Sequence, residues 1–437
     1  MTLEGARPQK EEAPTAGCGA ARPGTGRLME EVVERENLKA ALRRVRQNQG
    51  SPGTDGMKTE ELLPYLRDEW VRIREELLAG TYRPQAVKRQ EIPKRGGGTR
   101  TLGIPVVLDR FIQQAMLQVL QPRFDPTFSE HSYGFRPGRS AKQAIAKAQR
   151  YIEEGRRGVV DVDLEKFFDR VNHDVLMGRL AKRIEDRRML RLIRRYLEAG
   201  VMTGGVVIER HEGTPQGGPL SPLLANVLLD EVDKELEKRG HAFVRYADDC
   251  NVYVRSRKAG ERVLTFLRKK YGDLRLRINE EKTAVARVIT REFLGIAFWR
   301  GAGGRLRRRV ADKALEAMKN RVREITGRSR GRSVRQAVEA LSRYLTGWRA
   351  YFRMAETPEI FRSLDEWIRH RLRQIHLKHW KTAKRAYAEF RARGASEELA
   401  RRVGVRCQRW WYHSTHAVHV VLTKEYFDGL GVPRLAP

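Results

Sequence analysis

Two groups of acids in this chain have the composition of a site for hard divalent cations. Asp163 closes the short apolar run Val159 to Leu164, and Asp248-Asp249 stands between two β-rich arms spanning Phe243 to Val254. The first run sets its acids two apart, so Asp161 and Asp163 share one strand face. The second reads as a hairpin with the acid pair at its tip. Mg2+ prefers carboxylate oxygens. Carboxylates brought together from separate strands suit the joining of a nucleotide to a 3′-hydroxyl, chemistry that uses two ions about 3.5–4 Å apart. Either group alone is weak, because an Asp-Asp pair in a hairpin is ordinarily only a turn. The combination carries the reading.

The surrounding segments must hold these acids rigid. Residues 1–27 are rich in Ala, Gly, Pro and Thr and have too few large apolar residues to offset ordering entropy, so they read as a leader. Leu28 to Val45 has helical apolar spacing that Gly50-Ser-Pro-Gly-Thr-Asp-Gly56 ends, and a further helix runs through Tyr65, Trp70 and Leu77. Ala86 to Ile92 and Thr101 to Ile104 look like strands flanking the basic turn Lys94-Arg-Gly-Gly-Gly-Thr-Arg100. Ser140 is placed to cap a helix that ends at Gly155. Ser221-Pro222 reads as a cap and first-turn proline of a helix running to Arg239, with Gly240 as its stop. Beyond Val310 the spacing is helical almost to Arg402, and no internal repeat is present.

Composition narrows the partners. The 87 Lys and Arg exceed the 55 Asp and Glu, for a formal charge of +32 that calls for a polyanion. From Arg300 to Pro437 there are 32 basic and 13 acidic residues, a surplus of 19, so more than half of the net charge lies on the last third. An apolar fraction of 40% supplies a core, while no uninterrupted apolar stretch is long enough to span a bilayer. The three cysteines, Cys18, Cys250 and Cys407, are too scattered for a disulfide framework or a zinc site. With no secretion signal at the N-terminus, a soluble, cytoplasmic protein is expected.

Tyr246-Ala-Asp-Asp249 resembles the YxDD hairpin of reverse transcriptases, and Asp163-Leu-Glu-Lys-Phe-Phe-Asp169 resembles their first catalytic motif. The match continues in order through Glu91-Ile-Pro-Lys94 with Arg100, Ser132-Tyr-Gly-Phe-Arg-Pro-Gly-Arg-Ser140, Gly213-Thr-Pro-Gln-Gly-Gly-Pro-Leu-Ser-Pro222, Leu276 to Thr283 and Glu292-Phe-Leu-Gly295. Tyr344-Leu-Thr-Gly-Trp-Arg-Ala-Tyr-Phe352 and Glu356-Thr-Pro358 extend it. The chain from Leu28 to Leu435 thus resembles a bacterial group II intron reverse transcriptase and maturase. The resemblance implies an α+β right-hand polymerase with an N-terminal extension over 28–80, fingers and palm over 81–300, and a C-terminal α-helical thumb or maturase domain over 301–437. Many relatives append a DNA-binding segment and an HNH nuclease; ending at Pro437 without them resembles the compact IIC lineage.

The implied activity is RNA-directed DNA polymerisation that copies intron RNA into cDNA during retrohoming, joined to binding of that RNA to assist its splicing. Asp163, Asp248 and Asp249 are then catalytic, and with Leu164 they form the metal set for two Mg2+ ions, with Mn2+ able to substitute. The family's aromatic residue five positions after the first aspartate favours Asp163, which gives Phe168, over Asp161, which gives Lys166. Phe168 is implied as the gate against a ribose 2′-hydroxyl, with Phe167 in the core because neighbouring strand residues face opposite ways. Lys94, Arg100 and Gln216 are implied at the incoming nucleotide, the glycines after Gln216 permitting close approach of template or nucleotide. Arg136 and Arg139 fall to template phosphate, Asn279 and Lys282 to the floor of the site, and Arg369, Arg371 and Arg373 to RNA, although helical spacing keeps these three from sharing one face. Expected partners are group II intron RNA, an RNA template with its DNA primer, target DNA and deoxynucleoside triphosphates, with no membrane. Two rival readings are a splicing factor that has lost polymerase activity, disfavoured by the intact acids, and a reverse transcriptase turned to defence, disfavoured by Tyr344 to Pro358.

Overall fold

The computed structural model describes residues 25–93, 99–203, 206–208, 212–214, 217–327, 331–380, 382–405 and 418–436. Two helices, α1 (Leu28–Val32) and α2 (Arg35–Asn48), replace the single helix expected over Leu28 to Val45. The break lies at Glu34, whose extended backbone and side chain, accepting from Asn37 N at 2.9 Å, make it the N-cap of α2. Helix α3 (Leu62–Ala79) buries Leu62, Leu66, Ile73 and Leu77 and closes on Gly80, whose φ of 68° suits a residue without Cβ. Strands β1 (Val87–Pro93) and β2 (Thr99–Ile104) form the expected antiparallel hairpin, pairing Ile92 with Arg100. Helix α4 (Val107–Phe124) follows and buries twelve residues, including Asp109, Gln113 and Gln114.

Helix α5 (Ala141–Glu153) starts as expected on Ser140, whose hydroxyl accepts from Gln143 N. After β3 (Gly158–Val162) come α6 (His173–Ala181), α7 (Arg187–Glu198), β4 (Val201–Thr203) and β5 (Val206–Ile208). Helix α8 (Ser221–Lys238) corrects one expectation. Leu220 occupies its N-cap position, and Ser221 is the first helical residue, with its hydroxyl accepting from Thr214 Oγ1 at 3.1 Å rather than capping the helix. The hairpin of β6 (Ala242–Tyr246) and β7 (Asp249–Val254) leads to α9 (Arg257–Asp273) and β8 (Ala284–Arg287). One four-stranded sheet runs β2-β1-β4-β5, and a second, antiparallel throughout, runs β6-β7-β3-β8.

The second sheet is buried on both faces. Val160, Val162, Cys250 and Val252 join a core shared with α1 to α4 and α6 to α9, whereas Val159, Val244 and Tyr253 join another on the opposite face. The second core includes a three-stranded sheet of β9 (Glu292–Phe293), β10 (Ile296–Arg300) and β11 (Leu306–Val310). It continues through α10 (Asp312–Ile325), α11 (Val334–Phe352), α12 (Pro358–Trp380), α13 (Ala383–Ala392) and α14 (Glu397–Val405). A capping box of Ser333 and Gln336 starts α11. The C-terminal segment returns to α12, where Asp365 accepts from Leu435 N and Ala436 N at 2.9 and 3.0 Å. The architecture is α+β, and no described helix is long and apolar enough to cross a membrane.

Candidate active site

Register brings the acids together. Strand β7 pairs antiparallel with β3, setting Asp161 opposite Asn251 and Val162 opposite Cys250, so the next step places Asp163 opposite Asp249. Tyr246 pairs with Asp249, which leaves Ala247 and Asp248 as a two-residue turn with Ala247 in the left-handed region at φ 59°. The turn is braced from behind. A Cβ on Gly134 would stand 2.1 Å from Ala247 N, so only glycine fits there. Arg245, buried and paired with Asp233 at 2.6 Å, also donates to Asn226 Oδ1 at 2.9 Å and to Ala247 O at 2.8 Å.

Arg245 and Asp233 were not singled out by sequence, although a lone cation in the apolar run Phe243-Val-Arg-Tyr246 is the kind of residue that is rarely buried unless paired. Removing one member of such a pair strands the other charge. Arg245→Met is therefore expected to lower stability by about 3–5 kcal/mol, and the double change Arg245→Met with Asp233→Leu to recover most of it. Chemical denaturation of the three proteins checks this; equal stability of the single and double variants would show that the stranded charge is not the cause.

The acids differ in their surroundings. Asp163 is fixed through its backbone, its carbonyl accepting from Asn279 N at 2.8 Å and its N–H donating to Thr283 Oγ1 at 3.2 Å. Its carboxylate lies 3.4 Å from Lys282 Nζ. Asn279 and Lys282 thus both contact Asp163. Asp161 is taken up by Arg291, whose Nε donates to it at 2.8 Å; burial raises its carboxyl above the usual range against that pull. Asp249 is pushed up to about 8, first by burial and then by the charges of Asp161, Asp248 and Asp163. Asp161, Asp163 and Asp249 line a cleft of about 740 Å³ together with Lys282 and Arg291. Leu164 is buried, and the bridge it forms with Ile278 runs through Glu165 N and Asp163 O, outside its own carbonyl. Among the described residues, no three His, Cys, Asp or Glu side chains stand as close as a single ion's shell requires. The carboxylates repel one another, and Asp163 is turned to Lys282.

Other expected site residues fall in different places. Lys94 and Gln216 lie outside the described residues; Arg100 is placed only by its pairing with Ile92. Phe167 and Phe168 are not in a strand but in a 3-10 turn after Lys166, which adopts φ 46°, so both rings are buried and strand alternation does not separate them. Phe168 nevertheless lines a second cavity, of about 490 Å³. The glycines after Gln216 serve the protein's own packing. Gly217, at φ 134°, would set a Cβ 2.8 Å from Gly103 O, and one on Gly218 would stand 2.4 Å from Gln113 Oε1.

Arg136 is also corrected. It is buried, and its five N–H groups go to the Asp125 carboxylate and carbonyl and to the carbonyls of Ser129 and Ser132, leaving no donor for a phosphate. Arg139 is half-buried over the Tyr133 ring and donates to Glu130 O. In α12, Arg369 is buried between Asp365 and Asp428 rather than facing RNA or solvent. Arg371 donates to Thr326 Oγ1 and Arg373 to Leu422 O, each half-buried. This helix faces the rest of its own domain.

Residues 92–298 match the family model described as Reverse transcriptase (RNA-dependent DNA polymerase), and residues 315–394 match that of the Group II intron, maturase-specific domain. The chain is 34% identical over 303 residues to Protein YkfC of Escherichia coli (strain K12), covering 60% of this chain and 80% of that one. It is 35% identical over 209 residues to Group II intron-encoded protein LtrA of Lactococcus lactis subsp. cremoris, covering 48% of this chain and 35% of LtrA, so it spans about a third of that relative's length. A chain of the Partial Cas6-RT-Cas1--Cas2 complex is similar at 28% identity, with 56% of this chain and 42% of that one covered; its TM-score of 0.36 is too low to bear on the fold.

Proposed function

Because the chain belongs to the group II intron-encoded reverse transcriptases and maturases, we propose that it extends a DNA primer along intron RNA and also binds that RNA to help it splice. One observation supports the polymerase reading: the β3–β7 pairing runs to Val162 opposite Cys250, and Asp163 and Asp249 just beyond it line one polar cleft. Divalent metal belongs to this family's chemistry. Asp163, Asp248, Asp249 and the main-chain carbonyl of Leu164 are hard oxygen donors and would hold two Mg2+ ions. Burial raises Asp249 first and the neighbouring carboxylates add to it; that crowding of negative charge supports the fit, because it favours a doubly charged cation. When bound, the ions supply activation of the primer hydroxyl and neutralisation of the triphosphate.

The chain's own residues orient the reactants. Lys282 steadies Asp163, and Arg291 draws Asp161 out of the donor set. Lys94 and Arg100 neutralise the triphosphate, Gln216 contacts the nucleotide, and Phe168 closes the space that a 2′-hydroxyl would need. Arg139 remains for template phosphate, and target DNA enters as the strand whose 3′ end is extended. The experiment is primer extension on a short RNA template with the purified chain and Mg2+. Deoxynucleotides are expected to be incorporated well ahead of ribonucleotides, Phe168→Ala is expected to narrow that gap, and a chelator to stop synthesis. Absence of extension by the folded, RNA-binding wild type would refute the reading.

A further inference from the structure

Phe135 stands in a conformation that its residue type rarely takes. Its φ is 60°, in the left-handed region, yet its ring is 45% exposed. Such strain persists only where the surroundings over-determine it. Both neighbours do so. Gly134 is wedged against the Ala247 turn, with its carbonyl accepting from Asn226 Nδ2 at 3.0 Å. Arg136 commits all its donors to the protein interior. Burial cannot be the purpose of a ring left in solvent, so the locks on either side present it to something else.

The space in front of the ring indicates what. Phe135 lines the cavity of about 490 Å³ together with Phe168, Leu102, Gly218, Pro222 and Arg110, and no acid lines it. Arg110 donates through Nη2 to Ser51 O at 2.7 Å, while its buried Nε has no hydrogen-bond partner among the described residues. An apolar chamber with an aromatic wall and an underused cation suits a base and its phosphate. Phe168, at the sugar of the incoming nucleotide, lines the same cavity, so a template base beside Phe135 would lie next to that nucleotide, while the metal-bound phosphates belong with the acids. We propose that Phe135 is a stacking platform for an unpaired base of the RNA template, and that Arg110 neutralises the phosphate of that strand. The inference rests on the polymerase reading.

The test uses the full-length protein and an RNA template carrying 2-aminopurine at the first unpaired position beyond a DNA primer. Binding to wild type is expected to quench the fluorophore. Phe135→Leu and Phe135→Gly are expected to lose the quench and weaken template–primer binding about tenfold, while Phe135→Trp retains both. Glycine also relieves the left-handed strain, so its Tm is expected to equal or exceed that of wild type. Unchanged quench and affinity in the leucine and glycine variants would overturn the proposal, as would a glycine variant whose Tm falls along with its affinity. Extension of the same primer by wild type separates the two readings. If wild type extends but the variants bind alike, stacking alone is wrong; if wild type does not extend at all, the polymerase reading fails and takes this proposal with it.

Discussion

Asp248→Asn combined with Asp249→Asn is expected to abolish primer extension, by at least about 1000-fold, while the hairpin stays folded. The size follows from metal chemistry worth several kcal/mol, at about 1.4 kcal/mol for each tenfold in rate. The turn survives because asparagine is nearly isosteric and because its bracing, from Gly134, Asn226 and Arg245, does not involve the two carboxylates. Asp163→Asn should match this loss. Asp161→Asn should cost far less, because Asp161 pairs with Arg291. The reverse order between those two would mean that the wrong acid of β3 has been assigned to the metals. A second signature comes from titration. Asp249 ionises near 8, above its unfolded value of about 3.9, so the folded state holds a proton that the unfolded state releases. In a chelating buffer, the stability this contributes is present below pH 4 and is lost as pH rises through 8. Asp249→Asn removes that dependence and should unfold at a higher temperature than wild type at pH 8.5. Identical melting curves across this pH range would contradict the raised ionisation of Asp249 by burial and by its neighbouring carboxylates.

The elements around the acids were legible because they obey local rules. The β6–β7 hairpin announced itself by β-rich arms around a polar tip, and α5 by Ser140 before an alanine-rich amphipathic run. Helix α4 was not legible, because it is buried on nearly every side and so shows no polar stripe. Ser221 misled because a serine before proline reads as a cap, whereas the fold spends its hydroxyl on Thr214. The cations failed for a related reason. Charge in a sequence does not say whether an arginine faces solvent or a buried acid; Arg136 answers Asp125, and Arg369 answers Asp365 and Asp428, partners between 4 and 59 positions away. Only the tertiary arrangement distinguishes a phosphate contact from an internal ion pair.

That distinction leaves exposed cations elsewhere in residues 301–437 as the candidates for RNA contact and sets the last expectation, that splicing assistance and polymerisation separate genetically. The catalysis of splicing belongs to the intron RNA, and the protein's share is to bind and steady its fold, a task of phosphate neutralisation. Arg369 is unsuited to it, since its removal would strand buried Asp365. Arg349 and Arg353, four positions apart at the end of α11, and Lys384 and Arg385 near the start of α13, are exposed. Neutralising all four to glutamine is expected to weaken intron binding and to flatten its dependence on salt by roughly one unit of slope for each phosphate left without its cation. Splicing at near-physiological salt should fall with it, while extension of a primer on a short unrelated template stays within about threefold of wild type, because none of the four lines the cleft at the acids. The aspartate variant should show the opposite pattern, splicing without synthesis. The decisive measurement is both assays on both proteins. If the aspartate variant folds and binds intron RNA yet fails to splice, or if the four-residue variant loses extension and splicing equally while its salt slope is unchanged, one surface serves both tasks and the division is wrong.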